Sequence, residues 1–389
     1  MALAYLDHAA ATPLRPEVRD AMESHLEGVR GNPSSVHRWG RAAHAALDRA
    51  RMNVAERLEV GVEQVHFVRG GTESVNLAIL GRAARVREHQ IAGMTQRAAF
   101  FYSAIEHSAV RESMMSLQDQ GNRVQSLPVS PRGEVSLPDP KSMRRDAAML
   151  VSVQWVNHET GLILPVREIA DHCHEAGVPL HVDAVQAVGR IPIEAGLVDF
   201  LSLSGHKLGG PRSSGVLVVR DPGEIRPVLF GGGQEAGLRP GTEDVAAAVG
   251  LAVALEIALD ELASESARLS GLREDLEEAL VTSVPDMVIH GAEGRRAPHI
   301  LSLGFPGVPR DLLPGVLDLE GIGCSAGSAC RSGSTEVSSV LSGLYGEAAG
   351  RVAPLRLSLG WTTTPDEVDR AIRTIPAVLE RIHGAGVVQ

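Results

Sequence analysis

Residues 200–207 have the sequence Phe-Leu-Ser-Leu-Ser-Gly-His-Lys, which joins a short apolar segment to one of only two lysines in a chain of 389 residues. The other lysine is Lys141, and all the rest of the 37 lysines and arginines are arginine. A guanidinium stays protonated and cannot form an imine, whereas a lysine amine can lose its proton and attack an aldehyde. Lys207 is therefore either a Schiff-base lysine that holds pyridoxal phosphate or an ordinary surface lysine, and its neighbours must decide between the two.

Short apolar, β-branched segments alternate with longer amphipathic segments on both sides of this stretch. The strands are predicted at residues 65–68, 99–103, 149–153, 180–182, 200–203 and 215–219, and helices at 75–89, 108–120 and 165–175. This alternation is typical of an α/β fold with a mostly parallel central sheet covered by helices. In open sheets of this kind, ligands bind at the carboxyl ends of the strands.

The length of the chain and the composition of its second half predict a second domain. An Ala/Leu/Glu-rich stretch at 245–281 predicts one or two helices that lead into it. We predict a large cofactor-binding domain at residues 14–258 and a smaller α+β domain formed by residues 1–13 and 259–389. In the smaller domain, residues 326–335 are rich in Ser and Gly and are predicted to form a mobile loop.

Charge, hydropathy and cysteine content exclude several classes of protein. A net charge of −11 argues against a nucleic-acid-binding surface. The N-terminus has no signal-peptide pattern, and no apolar run approaches the roughly 20 residues of a membrane helix. Three cysteines, Cys173, Cys324 and Cys330, do not make a disulfide framework. We therefore expect a cytoplasmic protein that binds neither nucleic acid nor a membrane.

Polar residues follow several of the predicted strands. Gly71 and Thr72 lie at a helix start, where backbone N–H groups can bind a phosphate, although a simple helix cap would use the same residues. His107 could stack on a ring or carry protons, or be a structural histidine. Asp183 needs a cationic partner, either a protonated pyridine nitrogen or an arginine. Together with Lys207, these residues would suit a pyridoxal-phosphate site.

Two other clusters are interpreted as structural. His172, Cys173 and His174, together with His181, suggest a metal site, but adjacent helical residues point in different directions and no second cluster completes the coordination. We therefore predict no metal site. An arginine-rich patch is predicted to be a solvated helix face; it consists of Arg82, Arg85 and Arg87.

Several stretches, taken in order, resemble class V enzymes of the fold-type I pyridoxal-phosphate transferases, and within that group the cysteine desulfurases of the NifS/IscS kind. The matching stretches are residues 5–13, 31–35, 71–74, 106–107, 181–184, 204–207, 231–235, 239–242, 327–330 and 356–360. They run from residue 5 to residue 360, so the resemblance covers nearly the whole chain.

The resemblance implies a pyridoxal 5'-phosphate site with a role for each matching residue. Lys207 would form the imine, Asp183 would pair with the pyridinium nitrogen, and Gln186 would hydrogen-bond the phenolic oxygen. His107 would stack on the ring and act as an acid–base group. The phosphate would be bound beside Gly71 by residues from both subunits of a homodimer, namely Thr72, Ser204 and His206 of one chain and Thr242 of the other.

The resemblance also implies the substrate and the fate of its sulfur. Arg356 would hold the carboxylate of L-cysteine in a fork, and Asn32 would help to place the substrate. Cys330 would attack the substrate sulfur and retain it as a persulfide, releasing alanine. The sulfur would pass to an acceptor protein, either an iron–sulfur scaffold or a sulfur carrier, while Cys324 is expected to be a bystander.

One position departs from the pattern of these enzymes. The usual Val-Asn-Asn-Glu is Val-Asn-His-Glu here, so His158 replaces the Asn that normally contacts the phenolic oxygen. Since an imidazole N–H can donate one hydrogen bond, we expect His158 to make this contact, with altered pH dependence.

Three other functions are compatible with the same residues. A selenocysteine lyase would share the fold and the cofactor residues. Another class V reaction, such as a transamination, would not need Cys330. A non-catalytic relative could act as a scaffold subunit, although the joint presence of Lys207, Asp183, His107 and Cys330 argues against it.

Overall fold

The computed structural model describes residues 3–27, 31–91, 98–327 and 337–384. These residues form twelve strands: β1 (Ala4–Tyr5), β2 (Val65–Val68), β3 (Ala99–Ser103), β4 (Arg123–Leu127), β5 (Ala148–Gln154), β6 (Leu180–Asp183), β7 (Phe200–Ser204), β8 (Gly215–Val219), β9 (Val288–Ile289), β10 (Ile300–Pro306), β11 (Ile322–Gly323) and β12 (Val352–Ser358). They also form eleven α-helices: α1 (Pro16–Glu27), α2 (Arg38–Leu58), α3 (Gly71–Ile91), α4 (Ser108–Asp119), α5 (Pro140–Arg145), α6 (Val166–Ala176), α7 (Val245–Asp260), α8 (Leu262–Ser283), α9 (Leu312–Leu319), α10 (Ser339–Tyr345) and α11 (Pro365–Gly384).

The central sheet of the described chain has seven strands in the order β2-β8-β7-β6-β5-β3-β4. Strands β7, β6, β5, β3 and β4 pair in parallel, whereas β8 is antiparallel to both of its neighbours. Strands β6, β7 and β8 are buried along their whole length, as is typical of the centre of a sheet that is covered on both faces. The predicted α/β fold with a mostly parallel sheet is confirmed.

The carboxyl ends of six strands lie at one edge of this sheet. Because β2, β3, β4, β5, β6 and β7 all run in the same direction, the residues that follow them are brought close together although they are far apart in the sequence. The described chain therefore gathers its candidate site residues at this edge.

A separate apolar core lies around a second sheet, with the strand order β12-β10-β9. It includes Ala4 and Leu6 from the N-terminus, together with side chains of α8, α9 and α11. The long stretch at 245–281 is two helices, of which α7 packs on the main core and α8 on the second. Strand β1 pairs with β11, which joins the N-terminal residues to this part of the chain. The domain limits given above stay a prediction.

The prediction of a solvated arginine face on α3 is wrong for Arg82. Its side chain is buried, because α3 packs against the central sheet and Arg82 faces the sheet. The Arg82 Nε donates to the carbonyl of Met149 at 3.1 Å, and its guanidinium pairs with the carboxylate of Glu224. Burial lowers the pKa of Arg82 below its ordinary value, and the charge of Glu224 opposes this.

None of the helices in the described ranges is long and apolar enough to cross a membrane.

Candidate active site

A cavity of about 630 Å³ opens at the carboxyl edge of the central sheet. This volume is within the range of small-molecule and cofactor sites. The structure brings ten of the predicted site residues to its wall: Gly71, Thr72, His107, His158, Asp183, Gln186, Ser204, His206, Lys207 and Arg356.

Two predicted residues do not line this cavity of their own chain. Asn32 is exposed, and its Oδ1 accepts a hydrogen bond from the backbone N–H of Ser34 at 2.8 Å. Thr242 is exposed as well. Cys330, and most of the Ser/Gly-rich segment around it, lie outside the described residues.

Lys207 extends into the cavity from the end of β7. Its Nζ lies 2.6 Å from the carbonyl oxygen of Ala9 and 2.6 Å from that of Ala10, in the segment that follows β1. Arg190 donates to the carbonyl of Lys207 at 3.3 Å and helps to hold its backbone. Lys207 is half-buried on the wall of the cavity, unlike a lysine on the outer surface, and its role as a Schiff-base lysine stays a prediction.

One end of the cavity is formed by the N-terminus of α3 and the end of β7. A Cβ atom at Gly71 would lie 2.9 Å from Cγ2 of Val185, so only glycine fits without displacing that side chain. The hydroxyl of Ser204 and Nδ1 of His206 are 2.8 Å apart in the same corner. Burial, aided by the charges of Lys207 and Arg212, lowers the pKa of His206 to about 4. The first N–H groups of a 21-residue helix make this corner suitable for an anion.

Two buried carboxyl groups also line the cavity. Asp183 Oδ1 accepts from the N–H of Val185 at 3.0 Å, and burial raises the pKa of Asp183, an effect that the charges of His107 and Lys207 oppose. Glu106 Oε1 accepts from the N–H of Gln154 at 2.8 Å and from the hydroxyl of Ser103. Burial, with a contribution from the charge of Asp183, raises the pKa of Glu106 well above its ordinary value.

Glu106 has no role in the sequence analysis, although it precedes His107 directly. Its Oε2 has no partner among the described residues. A buried carboxyl with a raised pKa and an open oxygen is neutral over a wider pH range than an exposed one. The signal in the sequence was a carboxylate placed after a buried strand, the same signal that identified Asp183.

We expect Glu106→Gln to change the pH dependence of stability. Because the folded protein holds the Glu106 proton above the ordinary pKa of 4.5, the free energy of unfolding falls as the pH rises from that value toward the raised pKa. A glutamine keeps the Oε1 acceptor and removes this decline. The variant should match the wild type near pH 4 and exceed it by at least ~1 kcal/mol at about pH 8, as measured by urea unfolding of cofactor-free protein.

The exposed Glu63→Gln is the matched control for the same loss of a carboxylate. It should leave the pH profile unchanged. Parallel profiles for the wild type and Glu106→Gln would show that Glu106 is ionised in the folded protein.

His107 begins helix α4 as its N-cap. Its Nδ1 accepts a hydrogen bond from the backbone N–H of Ala109 at 3.1 Å, so the neutral ring carries its proton on Nε2. The ring of His158 meets that of His107 edge-on, with ring centres 5.1 Å apart and planes at 75°. Two imidazoles therefore lie side by side on the wall of the cavity.

The ring of His158 faces Gln154 on its Nδ1 side and Glu159 on its Nε2 side, where Oε1 of Glu159 lies 3.8 Å away. The Nε2 of Gln154 donates to the carbonyl of Ile105, so the Oε1 of Gln154 is left to accept from Nδ1 of His158 at 3.4 Å. Burial, followed by the charge of His107, lowers the pKa of His158 well below its ordinary value. A neutral ring has a single N–H, and Gln154 competes for it with any oxygen bound in the cavity. The sequence analysis did not predict this competition.

Arg356 projects into the cavity from β12. One terminal nitrogen donates to the carbonyl of His158 at 2.8 Å, and the other to Oδ1 of Asp7 at 2.8 Å. Its Nε has no partner among the described residues. Since a guanidinium has five N–H groups, donors remain for a substrate carboxylate. Asp7, which sequence reasoning missed, fixes the orientation of the guanidinium.

The family model described as aminotransferase class-V matches residues 4–371. The chain belongs to this family. The family was predicted from the order of the motifs, and it is confirmed.

Relatives of this class-V protein match it over nearly their full length. It is 39% identical to an "IscS-like cysteine desulfurase" of Mycobacterium tuberculosis, over 99% of this chain and 98% of the relative. It is 37% identical to "Cysteine desulfurase NifS" of Azotobacter vinelandii, over 98% of this chain and 94% of the relative. A solved structure named "NIFS-LIKE PROTEIN" superposes with a TM-score of 0.87 at 31% identity, covering 97% of this chain and 100% of the other. Another solved structure, "SspA in complex with cysteine", superposes with a TM-score of 0.76 at 29% identity, covering 92% of this chain and 98% of the other.

The two cysteines of this class-V protein that the structure describes are poor nucleophiles. Burial, aided by the charge of Asp199, raises the pKa of Cys173 to about 12. Burial also raises the pKa of Cys324 to about 12, with contributions from Asp7 and Asp318. Both thiols are protonated at neutral pH, so neither provides a thiolate.

Proposed function

We propose that this protein is a cysteine desulfurase that uses pyridoxal phosphate to convert L-cysteine to L-alanine and carries the released sulfur on Cys330. The observation that supports this most strongly is the position of Lys207 and Asp183 on the wall of one cavity, at the strand edge where this fold binds ligands. Relatives that match almost the whole chain bear the name cysteine desulfurase.

The residues of the cavity fit the proposed cofactor. Pyridoxal phosphate, when bound, supplies an aldehyde for attachment to an amine and a ring that accepts electrons from the substrate. Lys207 is the amine within the cavity, and the corner at Gly71 and Ser204 suits the phosphate. Burial raises the pKa of Asp183 although the charges of His107 and Lys207 oppose this, and a protonated ring nitrogen would offset the cost of burying the carboxylate.

The remaining residues bind and orient the substrate and move protons. The open N–H groups of Arg356 bind the carboxylate of cysteine, and Asp7 keeps the guanidinium in place. The Nε2 of His107 holds the proton that a general acid donates. Gln186 and His158 offer hydrogen-bond donors to the phenolic oxygen of the cofactor, while Thr72 and His206 complete the phosphate corner. The Cys330 thiolate receives the substrate sulfur as a persulfide.

The proposal includes a homodimer in which Thr242 reaches the phosphate corner of the other subunit. Its exposed position, away from the cavity of its own chain, is compatible with that role. Asn32 stays a predicted substrate contact. The sulfur acceptor would be an iron–sulfur scaffold or a sulfur carrier protein in the cytoplasm.

The test is a direct assay of the purified protein for alanine and sulfide released from L-cysteine in the presence of a thiol reductant. Equal amounts of alanine and sulfide, together with a yellow protein, are expected. A yellow protein that forms pyruvate or exchanges amino groups instead would assign it to another class-V reaction. A colourless protein without activity would support the non-catalytic alternative.

We expect His158→Asn to bind the cofactor at least as tightly as the wild type. An amide NH2 has two hydrogens and can donate both to Gln154 and to the phenolic oxygen of the cofactor. His158→Ala, which has no donor, should bind pyridoxal phosphate about 5- to 10-fold more weakly. The measurement is the dissociation constant from absorbance titration of stripped protein. Equal affinity of the alanine variant and the wild type would show that His158 does not contact the cofactor.

A further inference from the structure

The side-chain amide of Gln186 is held at both ends. Its Nε2 donates to the carbonyl of Ala9 at 2.9 Å, the same carbonyl that accepts from Nζ of Lys207. Its Oε1 lies 3.2 Å from Nε2 of His299, which precedes β10 in the second core. Gln186 and His299 are both buried, with exposures of 7% and 1%, so water does not replace these contacts.

The chemistry of these partners fixes which atom donates. A carbonyl only accepts, so the group facing Ala9 must be the NH2 of Gln186 and the group facing His299 must be its oxygen. His299 therefore donates from Nε2. This requires a ring with its proton on Nε2 and a lone pair on Nδ1, and that Nδ1 has no partner among the described residues.

The surroundings keep His299 in this state. Burial lowers its pKa well below the ordinary value, and the positive charges of Arg190, Arg356 and Arg273 add to this effect. A neutral ring has one N–H and cannot donate from both nitrogens. The backbone of His299 is also held, since its carbonyl accepts from the N–H of Leu359 at 2.8 Å.

We infer that His299 is a positioning residue that orients the Gln186 amide so that an N–H, and not the amide oxygen, faces the cofactor cavity. The NH2 of Gln186 has two hydrogens; one is bound by Ala9, and the second remains for an acceptor in the cavity. If the proposed function is correct, on which this inference rests, the acceptor is the phenolic oxygen of pyridoxal phosphate. An amide turned around would present its own oxygen to that oxygen, and the two acceptors would repel each other.

His299 acts across two parts of the fold. Gln186 follows β6 of the central sheet, whereas His299 belongs to the segment that leads into the second sheet. The donor offered to the cofactor therefore depends on how the second core packs against the central sheet. The contact between His299 and Gln186 could not be predicted from the sequence, because the two residues are 113 positions apart.

The test compares His299→Phe, which keeps a ring of similar size without a donor, with His299→Gln, whose Nε2 can replace the donor. Two quantities are measured on the cofactor-loaded proteins: the dissociation constant for pyridoxal phosphate, and the pH midpoint of the visible absorption band. His290→Phe is the matched control, because His290 is a buried histidine that contacts Ser302 and does not line the cavity.

We expect His299→Phe to bind pyridoxal phosphate about 5- to 10-fold more weakly. The pH midpoint of its visible band should rise on the order of half a unit, because a phenolic oxygen that has lost a hydrogen-bond donor holds the neighbouring proton more firmly. His299→Gln should restore both quantities, and His290→Phe should change neither.

Wild-type values in His299→Phe, or a failure of His299→Gln to restore them, would overturn the inference. Where His299→Phe does not fold, His299→Asn, whose amide is too short to reach Gln186, takes its place in the comparison with His299→Gln. A wild-type protein that binds no pyridoxal phosphate would instead overturn the proposed function, so the two failures can be told apart.

Discussion

Replacing Lys207 by alanine is expected to reduce alanine release from L-cysteine by at least about 10³-fold. Lys207 provides the amine in the cavity, and its Nζ lies between two backbone carbonyls that orient it. An alanine leaves no amine to attach the cofactor covalently. The phosphate corner and Asp183 remain, so the variant should still bind pyridoxal phosphate, but only reversibly.

The composition of the chain makes this prediction easy to control. Lys141 is the only other lysine, and it is exposed on α5, away from the cavity. Borohydride reduction followed by peptide mass spectrometry should place the pyridoxyl label on Lys207 in the wild type and in Lys141→Ala. Lys207→Ala should carry no lysine label. A label on Lys141, or full activity in Lys207→Ala, would contradict the proposed role.

Replacing Cys330 by alanine is expected to lower desulfuration by at least about 10²-fold while the yellow colour is retained. The physical reason is that a thiolate must receive the sulfur. Burial holds the pKa of Cys173 and Cys324 at about 12, so among the three cysteines only Cys330 is left to supply a thiolate. Alanine and sulfide release should be assayed at equal occupancy by the cofactor.

Cys324→Ala is the control for Cys330→Ala. It should retain activity within about 2-fold, since a half-buried thiol with a raised pKa takes no part in sulfur transfer. Mass spectrometry after a brief reaction should find one additional sulfur on the peptide that contains Cys330. A persulfide on Cys324, or equal activity of Cys330→Ala and the wild type, would move the nucleophile elsewhere.

The sequence predicted the strands closely because their pattern is local. The segments at 65–68, 99–103 and 215–219 match β2, β3 and β8 residue for residue. Buried parallel strands are short apolar runs with abrupt ends, so each polar residue that follows one stands out. That is how Asp183, His107 and Lys207 could be placed at strand ends before the fold was known.

The sequence did not predict which groups these residues touch. Arg82 lies in a segment with the composition of a surface helix, but the packing of α3 on the sheet buries its side chain against Glu224. Asn32 and Thr242 match the pattern of the family, yet neither reaches the cavity of its own chain. For Thr242 this position is compatible with the proposed contact to the other subunit of a homodimer, and for Asn32 the substrate contact stays a prediction.

By itself the sequence determined the α/β class, the family and the residue types that line the site, because periodicity and motif order are properties of neighbouring residues. Only the tertiary structure decided that Asp7 orients Arg356, that Gln154 competes for the proton of His158 and that His299 fixes the amide of Gln186. Asp7 and Arg356 are 349 positions apart. The hydrogen bonds of Asp7 and His299 join segments that come together only when the tertiary structure forms, whereas Gln154 and His158 are four positions apart. The direction of each bond follows from burial and from which neighbouring atoms can accept a proton.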